Sequence, residues 1–215
     1  MLSYKSKEEP IIIAEVGQNH QGELEKALEY IRVFSANGAT VVKFQTRNNK
    51  FLFSDEAYNT IYNSDNAFAK HYGTHREQLE LNVEWLPLLR DECQKCGVKF
   101  MSTPFDEPSL DLICEVGVDM IKIASFDLGN LPFISKIAAK GLPVVMSTGG
   151  GDLDEVKASV KILRANLKDV SILHCVSEYP CSHDRLGLES IKDYQNEFPD
   201  CRIGISDHFN GILSG

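Results

Sequence analysis

Short runs of β-branched and apolar residues alternate along the chain with longer stretches whose apolar positions recur every three or four residues. The short runs predict strands at Ile11 to Val16, Val41 to Thr46, Lys99 to Pro104, Met120 to Ser125, Pro143 to Ser147, Val170 to Val176 and Arg202 to Ser206. Between the first two, Leu24, Ala27, Leu28, Ile31 and Phe34 follow the spacing of one buried helical face within Glu23 to Ala36. Further helices fit Val83 to Cys96, Leu110 to Val116, Pro132 to Lys140, Leu153 to Leu167 and Ser190 to Phe198. The punctuation agrees. Gly38, Gly97, Gly117 and Gly141 each follow a helix and precede a strand, where a left-handed residue is needed and glycine has no Cβ to clash. Asp152 and Glu155 have the spacing of an N-cap and its N3 partner, and Pro132 suits a first helical position. Repeated strand-helix units imply a parallel sheet in an α/β fold.

One connection breaks the rhythm. Arg47 to Asn82 is an insertion carrying Phe51, Phe53, Tyr58, Tyr62 and Tyr72, and it leaves from the C-terminal end of a strand. In a barrel that end faces the active site, so the insertion either lines a pocket or packs as a surface excursion.

The polar residues choose between a barrel and an open doubly wound sheet. Glu15, Lys43 with Gln45, Ser102 with Thr103, Lys122 with Ser125, Ser147 with Thr148, His174 with Ser177, and Ser206 to His208 all gather toward strand C-terminal ends. Seven such ends suit the mouth of a (β/α)8 TIM-type barrel better than one crevice. Lys43 and Gln45 share a parity, so both point away from the helical layer that takes Val42 and Phe44. An ammonium in that position needs either an anionic ligand or a structural ion pair with a group such as Glu15. Lys122 and Ser125 are three apart, so strict alternation sends them to opposite faces unless the backbone turns beyond the strand. Ser147 to Gly151 opens a helix and offers backbone N–H groups to a phosphate, although it matches no Walker A or dinucleotide pattern and a plain glycine-rich turn explains it as well. His208 suits a metal ligand, a base or a turn cap; His20 and His174 are further catalytic candidates, and His71, His75 and His183 read as structural or exposed.

Composition narrows the field. With 215 residues and 43% apolar content the chain supports one sizeable core, read as a single domain. A net charge of -9 argues against a nucleic-acid surface, so an anionic substrate needs a locally positive pocket. Six irregularly spaced cysteines favour free thiols, and the lone pair Cys93 and Cys96 lies within a helical pattern without a second ligand pair for zinc. Met1 to Pro10 is polar, and Ile11 to Ile13 is far too short for a signal peptide or membrane span, which predicts a cytoplasmic protein with no membrane partner.

Seven collinear motifs, from about residue 10 to residue 209, then carry a resemblance. They are Ala14 to His20 (AEVGQNH), Val42 to Thr46 (VKFQT), Ser102 to Phe105 (STPF), Ile121 to Ser125 (IKIAS), Met146 to Gly149 (MSTG), His174 to Pro180 (HCVSEYP) and Gly204 to His208 (GISDH). Together they resemble the sialic acid synthase family, which includes synthases for legionaminic and pseudaminic acids. The resemblance implies that C3 of phosphoenolpyruvate attacks the aldehyde carbon of an open-chain N-acetylmannosamine-like sugar while water adds at C2 and phosphate leaves. A divalent metal, manganese with magnesium as the alternative, polarises the aldehyde in that chemistry.

Carried over by position, Lys43, Thr103, Lys122, Ser125, Ser147 and Ser206 would hold phosphoenolpyruvate, with Ser177 at a position where some members have asparagine. Glu15, Gln45 and Tyr179 would bind and orient the sugar. Asp127 stands where members with glutamate use it near the reacting carbons, and its carboxylate is one methylene shorter. His208 matches one of two metal-binding histidines. The resemblance puts the other on an eighth strand beyond Gly215, followed by its helix and a small antifreeze-like domain. The resemblance therefore implies a barrel truncated after its seventh strand, weakly active or inactive alone and prone to associate, and a homodimer when full length. Two other readings stand beside it: an aldolase-type barrel using Lys43 or Lys122 as a Schiff base, and a non-catalytic sugar-binding barrel fragment.

Overall fold

The computed structural model describes residues 10–212, so most of the polar stretch Met1 to Pro10 and the chain end at Gly215 lie outside the described residues. In chain order the elements are β1 (Ile13–Gly17), α1 (Leu24–Ala36), β2 (Val41–Thr46), α2 (Asn49–Leu52), α3 (Asp55–Asn59), α4 (Tyr72–Gln78), α5 (Leu86–Lys95) and β3 (Lys99–Pro104). They continue with α6 (Glu107–Val116), β4 (Met120–Ile123), α7 (Leu131–Ala139), β5 (Val144–Ser147), α8 (Leu153–Asn166), β6 (Val170–Cys175), α9 (Ser190–Glu197) and β7 (Arg202–Ser206). The strands follow the order β1-β2-β3-β4-β5-β6-β7, with β1 parallel to β2 and β4 through β7 parallel in turn. This is the α/β succession of a (β/α)8-type barrel through its seventh strand.

The chain divides into two compact units, and β3 contributes to both. Unit 1 runs through Gln45 and from Phe53 to Met101; unit 2 takes Thr46–Leu52 and everything from Ser102 onward. In unit 1, α1 buries Ala27 and Ile31, the middle of its predicted face, while Val42, Phe44 and Leu89 are fully buried. The insertion has a small core of its own. There the Tyr62 and His75 rings stack with centroids 4.4 Å apart, Tyr72 meets Phe53 and Tyr62 edge-on, and His75 Nδ1 accepts from the Phe68 N–H at 3.1 Å. Its helices α3 and α4 were not foreshadowed, because neither has an apolar stripe long enough to show a period.

In unit 2, β4 and β5 are buried at every residue, which matches their nearly unbroken apolar sequence. Helices α6, α7 and α8 cover that sheet with Leu110 and Ile113, Ile134 and Ile137, and Val156 and Leu163. Each such aliphatic side chain contributes about 1.5–3 kcal/mol by burial. Helix α6 begins at Glu107, three residues before the pattern suggested, because Asp106 caps it by accepting the Ser109 N–H at 2.8 Å. Helix α8 opens on the expected capping box: the Asp152 N–H donates to Glu155 at 3.0 Å, and the Glu155 N–H donates to Asp152 at 2.9 Å. Pro132 falls at the second helical position of α7, after Leu131, and Asn130 caps the helix. The glycines at 38, 97, 117 and 141 all take positive φ. All six cysteines are free thiols. Among the described residues no helix is long and apolar enough to cross a membrane.

Candidate active site

Within unit 1, parallel pairing sets Glu15 beside Lys43, and a register shift follows between Glu15 and Gly17. The Lys43 ammonium pairs with Glu15 Oε2, while Gln45 Nε2 donates to Glu15 Oε1 at 2.9 Å. Of the two partners that the sequence left open for Lys43, the structural carboxylate is present. It also joins all three residues into one group, as the shared parity of Lys43 and Gln45 requires. His20 lies nearby in sequence but is a turn residue. It is buried, its Nδ1 accepts from the Gly22 N–H at 3.0 Å, and burial lowers its pKa to about 4, so it is neutral near pH 7.

Unit 2 carries a second group, built on buried strand ends. Lys122, only 5% exposed, donates to Ser147 Oγ at 2.6 Å and to the Ile123 carbonyl at 2.8 Å. Strand β4 ends at Ile123, and a tight 3-10 turn over Ser125–Asp127 follows. That turn resolves the alternation problem, since Ser125 is no longer bound to strand parity and its Oγ accepts the Gly149 N–H at 2.9 Å. At Gly149 the constraint is space rather than backbone angle. A Cβ there would come within 3.0 Å of Ser125 Oγ and of Cys175 Sγ, and Ser177 Oγ crowds the same point. Ser125, Ser177, Cys175 and the Ser147–Gly149 turn therefore converge. Thr103 is buried at the end of β3, and Thr46 shares a 2.8 Å hydrogen bond with Ser102.

The segments after β6 and β7 are tied together. The Cys181 N–H donates to the His208 carbonyl at 2.9 Å, and His208 Nδ1 lies 2.7 Å from the Val176 carbonyl. A proton on Nδ1 satisfies that contact and leaves the lone pair on Nε2, the arrangement of a metal-ligating imidazole with its orienting carbonyl. The residue thus fits one coordination position. It is a single ligand, since among the described residues no group of three or more His, Cys, Asp or Glu is gathered to hold an ion. The exposed Tyr179 ring sits over His208 with centroids 4.0 Å apart, and Ser206 joins His208, His174 and Cys181 in lining a small cavity. His174 is committed elsewhere, with Nε2 2.6 Å from the Leu186 carbonyl.

Asp127 is 3% exposed. Its Oδ1 accepts from Asn130 at 3.2 Å, whereas its buried Oδ2 has no hydrogen-bond partner. Burial raises its pKa against the opposing pull of the Asn130 bond, and the nearby Asp106 charge adds to the rise. A carboxyl so placed holds a proton more readily than an ordinary aspartate. Asp106 itself was missed. It caps α6 and also accepts the Asn48 N–H at 2.7 Å, while the Arg47 guanidinium lies 3.9 Å above the Phe105 ring, so this loop anchors the start of the insertion. The Asp106-x-x-Ser109 spacing before Leu110 was the available signal.

The model of the NeuB family matches residues 30–214. The chain belongs to the NeuB family. It is 35% identical over 201 residues to the N-acetylneuraminate-9-phosphate synthase of Mus musculus, covering 94% of this chain and 56% of that protein. With the N,N'-diacetyllegionaminic acid synthase of Legionella pneumophila it shares 37% identity over 210 residues, 94% of this chain and 58% of the relative. A solved structure of an N-acetylneuraminic acid synthetase from Leptospira borgpetersenii, in complex with citrate, superposes with a TM-score of 0.83 at 31% identity. That likeness covers 96% of this chain and 67% of the other. As a NeuB member the chain thus spans a little over half the length of the curated relatives it matches.

Proposed function

We propose that this chain provides phosphoenolpyruvate-binding and sugar-activating groups for an enzyme that condenses phosphoenolpyruvate with an N-acetylmannosamine-like aldehyde to give a nonulosonic acid and phosphate. One observation carries the proposal: the buried Lys122 ammonium bonded to Ser147, at the head of a glycine turn whose Gly149 N–H is already oriented by Ser125. A buried cation beside converging hydroxyls forms an anion site that an otherwise acidic chain has little reason to build. Family membership with synthases of sialic and legionaminic acids supports the same reading.

In this mechanism Lys122, Ser147, Ser125 and Ser177 bind the phosphate and carboxylate oxygens and fix the enol face, the Gly149 N–H donating to Ser125 Oγ so that the Ser125 hydroxyl proton is left for the ligand. C3 of the enol forms the new bond to the aldehyde carbon, whose oxygen takes up a proton. Water adds at C2, and the C2–O bond to phosphate breaks. Asp127, buried and biased toward its protonated form, is suited to supplying or relaying a proton, as its unpartnered Oδ2 allows. His208 Nε2, with Tyr179 over the ring, would hold a divalent ion, manganese or magnesium, which when bound polarises the aldehyde carbonyl. Glu15, Lys43 and Gln45 are assigned substrate contacts by the family resemblance. A cytoplasmic location and a homodimer of the longer relative-length chain belong to the same proposal.

The test is phosphate release from phosphoenolpyruvate, by a version of relative length, across N-acetylmannosamine, its 6-phosphate and the diacetamido sugars, with mass analysis of the product. A nonulosonic acid formed with manganese is expected. Borohydride trapping of substrate on Lys122 or Lys43 would instead establish a Schiff-base route and sink the reading.

A further inference from the structure

The turn that presents Ser147 and Gly149 is held in part by Tyr194, a residue outside every motif of the resemblance. Thr148 lies between them and is buried. Its backbone N–H and its Oγ1 both donate to the Leu173 carbonyl, at 3.2 Å and 3.0 Å. A threonine hydroxyl has one proton, and that contact uses it. The Tyr194 hydroxyl, 3.1 Å from Thr148 Oγ1, must therefore be the donor, so the two hydroxyls form a chain of fixed direction from α9 to β6. Tyr194 is held in turn: its ring lies 6.5 Å from His174, which the Leu186 carbonyl pins, and 6.3 Å from Phe198.

We propose that Tyr194 is a positioning residue for the phosphate-binding turn, acting through Thr148 to set where the Ser147 hydroxyl and the Gly149 N–H point. The inference rests on the reading of that turn as the phosphoenolpyruvate site. Two facts separate it from ordinary packing. Thr148 is flanked by Ser147, whose hydroxyl faces Lys122, and by Gly149, whose N–H orients the Ser125 hydroxyl, so any slippage of Thr148 is transmitted to both. Ser147 and Gly149 each already have a partner on the β4 side, in Lys122 and Ser125, and the Tyr194 chain is the matching restraint from the β6 side. A site held from both sides loses little entropy when the anion arrives.

The test titrates the full 215-residue chain with phosphoenolpyruvate by calorimetry and follows the Gly149 amide by nitrogen-15 NMR, with a thermal midpoint for each variant. Tyr194→Phe is expected to weaken binding about tenfold, the loss of roughly one well-placed hydrogen bond, and to shift the Gly149 amide resonance while the chain stays folded. Thr148→Val should weaken it at least as much, and Thr148→Ser, which keeps the hydroxyl, should bind within about twofold of wild type. In the double variant Tyr194→Phe/Thr148→Val the two losses should not add, because they break one chain. Wild-type affinity in Tyr194→Phe, additive losses, or an unmoved Gly149 amide with only a lowered thermal midpoint would each overturn the inference. If the wild-type chain itself fails to take phosphoenolpyruvate while folded, the anion-site reading falls first and this inference with it.

Discussion

Two lysines on two strands meet the same demand in different ways. In unit 1, Lys43 is set against the Glu15 carboxylate in the next strand, with the acid partly open to solvent and Gln45 sharing its second oxygen. In unit 2, Lys122 is almost wholly buried and donates to a main-chain carbonyl and a serine hydroxyl, both neutral acceptors. The first arrangement keeps a charge neutralised and in place. The second keeps the ammonium buried and ordered by hydrogen bonds that include those two. The position of a lysine on a strand is thus a weak guide to its surroundings.

The largest expected effect comes from removing the second cation. Lys122→Met should lower phosphoenolpyruvate affinity by about a thousandfold while changing folding stability by no more than about 1 kcal/mol, because a buried ammonium also carries a desolvation cost that methionine lacks. Calorimetric titration beside urea melts checks both halves, and an affinity within tenfold of wild type would break the contrast. Next comes acid sensitivity in unit 1. The His20 pKa falls from 6.5 unfolded to about 4 folded, so its share of stability is complete above pH 6.5 and is lost as pH falls toward 4. The loss is on the order of 3 kcal/mol and should appear as a falling urea midpoint between those limits that His20→Gln largely flattens. The smallest effect is expected for the first lysine's partner: Glu15→Gln should cost less than about 1 kcal/mol, since the carboxylate is well exposed and screened. A larger cost in thermal unfolding would show that the Lys43 pair is structurally dominant.

Much of this was written in the residue pattern, and the remainder was absent from it for identifiable reasons. Strands β2, β3 and β7 have the bounds that their short runs suggested. The Glu15 pair with Lys43 was one of two partners that the parity of β2 allowed. The backbone turn that the spacing of Lys122 and Ser125 left open is present, but nothing in Ile121 to Ser125 announces that it begins after Ile123. The helices of the insertion were hidden because their stability comes from aromatic contacts among Phe53, Tyr62, Tyr72 and His75, which no local period encodes. The Tyr194 contact with Thr148 joins positions 46 residues apart, and hydroxyl pairs at such separations leave no trace in composition or spacing.

The space around Gly149 bears on how such a protein can change its diet. With three side-chain heteroatoms crowding the spot where any larger residue would begin, a substitution there requires Ser125, Cys175 or Ser177 to move. Ser177, by contrast, reaches the same crevice from an exposed segment. A change at residue 177 is therefore made from the solvent side of that crevice, whereas one at residue 149 must first displace the side chains packed against it.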